Sequence, residues 1–139
     1  MRNGDQQLYP CLLFLVLLFH QSRADVGTAG FYNPPYLPTA CYGRDASKFP
    51  ADNLFAAAGE GIWDNGAACG RIYTVRCLSA ARLRNACVPG RRVQVTIVDR
   101  AATSVSRPST SRATLVLNVN AFRMIASPAA ADVNVEFLQ

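Results

Sequence analysis

Residues 69–77, CGRIYTVRC, and residues 93–99, VQVTIVD, decide the fold class. In the first, Arg71, Tyr73, Val75 and Cys77 take alternate positions, with Ile72, Thr74 and Arg76 between them. In the second, Val93, Val95, Ile97 and Asp99 share one side. A period of two is what a β-strand imposes, because successive side chains point to opposite faces. Asp99 ends an otherwise apolar stripe, an expensive place for a carboxylate unless it is partnered.

The same signal extends outward from these two strands. Gly27–Tyr32 (GTAGFY) reads as a short strand, closed by Asn33-Pro34-Pro35-Tyr36, where the prolines cannot continue a central ladder. Thr114–Leu117 and Val133–Phe137 supply two more strands. Asn118 fits an N-cap, and Ala121, Phe122, Ile125 and Ala126 form the one-sided stripe of one short helix that Ser127-Pro128 ends. The region before Cys69 is punctuated by Gly43, Pro50, Gly59, Gly61 and Asn65-Gly66, and Leu54–Ala58 is too short to assign to helix or strand. A cross-linked loop region is expected there. Arg100–Arg112, rich in Ser, Thr and Ala, reads as a flexible surface loop.

At the amino terminus, Arg2 precedes an apolar run from Cys11 to Phe19, and Ser22-Arg23-Ala24 follows. This is the layout of a secretory signal peptide, and the run is far shorter than the roughly 20 residues a membrane-spanning helix needs. Residues 1–24 are therefore expected to be removed, leaving 115 of the 139 residues as one domain, 25–139, with no transmembrane segment. Cys11 leaves with the leader. Cys41, Cys69, Cys77 and Cys87 remain, an even number that implies two disulfides in an oxidising compartment. Three pairings are open, with Cys41–Cys69 and Cys77–Cys87 the first expectation. No CxxC pair is present to suggest zinc.

His20, the sole histidine, lies in the leader, which excludes histidine-based nucleophilic catalysis and histidine-ligated metals from the mature chain. No metal and no cofactor are expected. Without Arg2, Arg23 and Asp5 the net charge falls from +5 to +4, which draws a protein to anionic partners. No nucleic-acid motif accompanies this charge, so nucleic acid is not an expected partner.

GTAGFYNPPY, IWDNGAACGRIYTVRC, VTIVDR and AFRMIA follow one another in an order that resembles the EG45-like proteins, which include plant natriuretic peptides and blight-associated proteins. The resemblance spans the mature chain and extends to the first domain of expansins and, more distantly, to family 45 endoglucanases. It implies an all-β fold, a six-stranded double-psi β-barrel with one short helix and disulfide-linked loops. It also implies the sequential cysteine pairing. Many relatives carry cysteines just after the VDR motif, where this chain has Ala101.

The related glucanases use two carboxylates across a groove. Aligned on Ala121-Phe122, one of them falls on Val116, which can neither donate nor accept a proton, so glycoside hydrolysis is not expected and the chain is read as no enzyme. Asp99 matches the remaining aspartate, either as a groove carboxylate or as a structural group held by Arg100, another arginine or backbone amides. Thr28, Tyr32, Tyr36, Trp63 and Asp99 are read as the ligand groove: Tyr32 and Asp99 match groove positions in the related domains, and the aromatic rings are able to stack on sugars or to serve packing instead. Arg82, Arg84, Arg91 and Arg92 are read as a basic patch for acidic pectin or simply as a solvated charged loop.

The leading expectation from the resemblance is a secreted, monomeric, non-enzymatic signal of natriuretic-peptide type. It would act in the apoplast through a plasma-membrane receptor or a cell-wall partner and influence water and solute balance. In such relatives activity is associated with the stretch matching Pro35–Cys77. The alternatives are a wall-binding or wall-loosening module related to expansins, which carry a second domain, and a barwin-like defence protein.

Overall fold

A computed structural model of the chain describes residues 24–101 and 112–139. The expected leader up to residue 23 and residues 102–111 of the expected loop lie outside the described residues. Six strands form a closed barrel: β1 (Asp25–Tyr32), β2 (Phe55–Ala58), β3 (Ile72–Ser79), β4 (Val93–Arg100), β5 (Leu115–Asn118) and β6 (Asp132–Leu138). Around the ring the order is β1, β5, β2, β4, β3, β6. The β1–β5 and β2–β4 pairs are parallel and the other four antiparallel, the arrangement of a double-psi barrel.

β2 settles the stretch that periodicity left open. Phe55, Ala56, Ala57 and Ala58 are all fully buried, because β2 is covered on both faces, and a strand buried on both faces shows no alternation. Its even positions, Ala56 and Ala58, join Val75, Val95, Ile97, Leu115, Leu117 and Val135 in the main core. Phe55 and Ala57 join Tyr32, Val98 and Val116 in a second cluster, which Tyr36, Tyr42 and Phe49 of the β1–β2 connection cover. That connection is tied to the start of β3 by the Cys41–Cys69 disulfide. Cys77–Cys87 is the other bond, so the pairing is sequential.

Among the described residues there are two α-helical segments, where one was expected. α1 (Glu60–Trp63) is a single turn that follows β2 directly. α2 (Val119–Ile125) is the expected helix, with Asn118 Oδ1 accepting from the Ala121 amide at 3.0 Å. The Asn118 side chain also donates to the Asn53 carbonyl at 2.7 Å, which satisfies this fully buried amide at both ends. Phe122 fills the core from α2, and truncating it to alanine should cost about 3–5 kcal/mol.

Candidate functional site

A bulge in the β2–β4 pair determines which side chains meet. Ala56 faces Ile97 across the β2–β4 pair, but Ala57 faces Asp99, so Val98 is an extra residue. The shift sets Asp99 in a row with Ala57, Val116 and Gly30 across β4, β2, β5 and β1. Asp99 and Val116 are thus two strand spacings apart, about 10 Å at the backbone. Both are fully buried. Asp99 Oδ1 accepts from the backbone amides of Ala40 and Arg100, each at 2.8 Å.

Tyr32 lies beside this row, with its ring edge-on to Tyr36 at 4.9 Å and to Phe55 at 6.4 Å. It is 8 % exposed, and its hydroxyl is buried without a hydrogen-bond partner among the described residues. Burial, then the Asp99 carboxylate and Tyr36, holds that hydroxyl protonated well above the ordinary phenol range. Tyr36 is shifted up as well, chiefly by burial. Tyr32 and Asp99 are therefore brought together beneath the β1–β2 connection, and Tyr36, part of that connection, packs over Tyr32 and Phe55.

Trp63 stands elsewhere. Asp99 and Arg100 are consecutive on β4 and so point to opposite faces. The Arg100 guanidinium grips the Glu60 carboxylate with two bonds of 2.8 and 2.9 Å and lies 5.5 Å from the Trp63 ring centre. The expected Asp99–Arg100 contact is made by the Arg100 backbone, while its side chain serves Glu60. Arg71 donates to Asp64 at 2.6 Å on the far side. These residues and Tyr73 line an open cleft of about 490 Å³.

Local backbone builds this cleft. A Cβ on Gly59 would collide with the Ala113 carbonyl, so only glycine lets α1 begin this close to the approach to β5. After α1, Asp64 and Asn65 adopt left-handed conformations with φ of 56° and 52°, which Asp and Asn tolerate better than other side chains. The reversal returns the chain toward β3 and places Asp64 opposite Arg71. The two ion pairs are partly exposed and contribute little stability. Their effect is chemical: two cations and two anions cancel, leaving a polar, neutral cleft beside an indole.

Thr28 is exposed on β1, where its amide donates to Thr114 Oγ1 at 3.2 Å and its carbonyl accepts from the Thr114 amide at 3.0 Å. Arg82, Arg84, Arg91 and Arg92 are all exposed and make no ion pair among the described residues. Arg84 lines a depression of about 570 Å³ around the Cys77–Cys87 loop, whereas Arg92 lines a separate niche of about 30 Å³ beside Glu136. Sequence reasoning missed Glu60, Arg71 and Arg100 as site residues. Only the VDR motif flagged Arg100, and nothing local links it to Glu60.

Among the described residues no group of three or more His, Cys, Asp or Glu could hold a metal, and no helix is long and apolar enough to cross a membrane. The lytic transglycolase family profile matches residues 56–137. The chain is 36 % identical over 140 residues to an EG45-like domain containing protein of Citrus jambhiri, covering 98 % of this chain and 97 % of that one. Two Arabidopsis thaliana proteins are similar: EG45-like domain containing protein 2, 32 % identical over 91 % of this chain and 88 % of its own, and the putative EG45-like domain containing protein 1, 39 % identical over 88 % and 89 %. Among solved structures, a mutant Clavibacter michiganensis expansin in complex with cellohexaose superposes with a TM-score of 0.59 at 19 % identity. It matches over 83 % of this chain, which spans about half (49 %) of the expansin. The unliganded form of that expansin gives a TM-score of 0.55.

Proposed function

The chain belongs to the EG45-like domain proteins, built on the double-psi barrel, and on that premise we propose that it is an extracellular protein that binds neutral cell-wall glucan at the Trp63 cleft without cutting it. The observation that carries this reading is the charge-balanced cleft: one indole flanked by the Arg100–Glu60 and Arg71–Asp64 pairs. A sugar ring offers an apolar face of C–H groups and a rim of hydroxyls. The indole suits the face, and fixed guanidinium and carboxylate groups suit the rim. Because the charges are internally paired, an uncharged polyol gains more here than an anion does.

Hydrolysis has no support in the Asp99 row. Val116 supplies no carboxylate, and Asp99 is fully buried with Oδ1 committed to two backbone amides. A glycosidase needs a proton donor and a second carboxylate on either side of the scissile bond. The resemblance to lytic transglycolases is therefore taken as one of scaffold. The expansin that shares the fold was crystallised with cellohexaose, which favours a glucan over other ligands.

Titration of the oxidised chain with cellohexaose and with soluble xyloglucan tests the proposal. Binding should be weakened at least tenfold by Trp63→Ala, with no new reducing ends after prolonged incubation. Equal binding by Trp63→Ala would overturn the assignment of the site. Release of reducing ends that disappears in Asp99→Asn would overturn the non-hydrolytic reading.

A natriuretic-type signalling role is the second reading, and one observation favours it. Glu60, Trp63, Asp64, Arg71 and Tyr73 all fall within Pro35–Cys77, the span enclosing Cys41–Cys69. An oxidised fragment of that span would carry every named cleft residue but Arg100. It should swell plant protoplasts if signalling resides there, and inactivity of both fragment and full chain would remove this reading.

A further inference from the structure

The depression beside the Cys77–Cys87 disulfide differs in kind from the Trp63 cleft. Across the β3–β6 pair Cys77 faces Val135 and Ser79 faces Asn134, so Leu78 is a bulged residue with no partner in the ladder. Bulges re-aim side chains, and Leu78 is left 40 % exposed on the wall of the depression. Leu83, on the disulfide-closed loop, is 36 % exposed on the same lining. Ala80 and Pro89 add aliphatic atoms beside the polar Ser79 and Asn85, and no aromatic or acidic residue contributes.

The second half of the loop is fixed. The Val88 amide donates to the Ile125 carbonyl and the Ser127 amide to the Ala86 carbonyl, each at 2.8 Å, anchoring it to the end of α2. One wall of the cleft is thus held by backbone bonds, and Leu83 and Arg84 stand on the first half of the loop opposite it. Around it the charge is one-sided. Arg84 lines it without an ion pair, and Arg82 lies on the same loop with Arg91 just beyond. Arg76 also lines it, although its guanidinium is held by Glu136 in two bonds of 3.0 Å.

We propose that this cleft is a protein-docking site that takes an acidic peptide segment of a partner, with an aliphatic side chain inserted between Leu78 and Leu83 and its carboxylates held by Arg84 and the arginines beside it. Sugars stack on aromatic rings, and this lining has none. Aliphatic walls with a basic rim complement a chain that alternates aliphatic and acidic residues, the hydrophobic group giving affinity and the charges register and rate of encounter. A uniformly charged polyuronate would gain from the arginines but nothing from the leucines.

Fluorescence anisotropy of the oxidised chain with a labelled Asp-Leu-Glu-Leu repeat peptide tests this. Poly-glutamate of equal length and polygalacturonate serve as competitors. The repeat peptide should bind, weaken as salt rises, and lose at least tenfold in both Leu83→Ser and Arg84→Ser, while Trp63→Ala leaves it unchanged. Both cleft substitutions are at exposed positions, and an unaltered near-UV spectrum together with normal glucan titration would show that they leave the fold intact. Absence of binding, equal binding of poly-glutamate, or insensitivity to Leu83→Ser would overturn the proposal. Displacement of the peptide by polygalacturonate at matched charge would assign the cleft to a uronate polymer instead and equally overturn it.

Discussion

The two clefts are similar in size and opposite in chemistry. The Trp63 cleft balances its charges internally around an aromatic ring, and its walls come from residues as far apart as Glu60 and Arg100. The disulfide-loop cleft draws on residues 76–90 alone, sets two leucines among polar and basic groups, and leaves Arg84 without an ion pair among the described residues. A site assembled from distant strands is as rigid as the barrel that holds it. A site assembled from one hairpin-like loop is as rigid as its cross-link. Selectivity should follow: neutral and planar on one side, anionic and aliphatic on the other.

The strongest way to separate the two is to remove one disulfide at a time. In the chain-entropy view, Cys41–Cys69, with a separation of 28 residues, contributes about 3.5 kcal/mol, and Cys77–Cys87, with 10, about 2.5 kcal/mol. Cys77→Ala/Cys87→Ala should abolish peptide binding and spare glucan binding. Cys41→Ala/Cys69→Ala should lower the denaturation midpoint further and disturb the Trp63 cleft first. Paired chemical denaturation and titration would read both effects.

Arg100→Lys comes next. Lysine keeps the charge but loses the two-pronged grip on Glu60 and the planar stack on Trp63. Glucan affinity should fall about five- to tenfold, equivalent to about 1 kcal/mol, with the peptide site unaffected. An unchanged glucan titration would show that Arg100 does not shape the cleft.

Tyr32→Phe tests the packed row as a region distinct from either cleft. Its hydroxyl is buried and unbonded among the described residues, so its removal should be neutral or stabilising by up to about 1 kcal/mol at pH 7. The sign reverses nothing at high pH. The folded-state value is raised above the unfolded one near 10, so stability is intact below pH 10 and falls by about 1.4 kcal/mol per pH unit above it as the unfolded chain releases the proton. Tyr32→Phe should lose this part of the alkaline limb, as thermal melts between pH 8 and 12 would show.

The smallest effect is expected from Glu136→Gln. Arg76 holds the Glu136 carboxylate below its usual range, so the pair stabilises the fold above the unfolded carboxylate value, about pH 4.3, and loses that contribution as pH falls through the folded value. Melting curves of the variant and the original protein should differ slightly at neutral pH and converge in acid. Peptide affinity should rise modestly in the variant, because Arg76 is released toward the aliphatic cleft.

Much of the barrel was legible in the sequence, because β3, β4 and β6 have one face in the core and one outside over most of their length and therefore alternate, while β5, buried at every position, was readable from its Leu-Val-Leu run. β2 was not, since Phe55–Ala58 is buried on both faces and carries no alternation. Asn118 announced itself as a cap through its chemistry. The site was legible only in part. Trp63 could be named, but the partners that give it meaning come from β4 and α1, and no local pattern reports a contact across forty residues. Tyr32 and Asp99 lie near each other, but buried rather than in an open groove. What hid their burial was the covering connection with Tyr36, Tyr42 and Phe49, together with a bulge at Val98 that shifts register without leaving a compositional trace.

The place of β6 in the ring has a consequence for how the protein is made. β6 lies between β1 and β3, pairing Asp25 with Phe137 on one side and Val75 with Phe137 on the other. The first and third strands to emerge during synthesis must therefore wait, with open edges, for the last. The ring stays open until β6 is available to bridge β1 and β3, so its closure waits on a strand distant in sequence from both. Any product that stops before Asp132 would present two unpaired strand edges, the feature that invites chain-to-chain association.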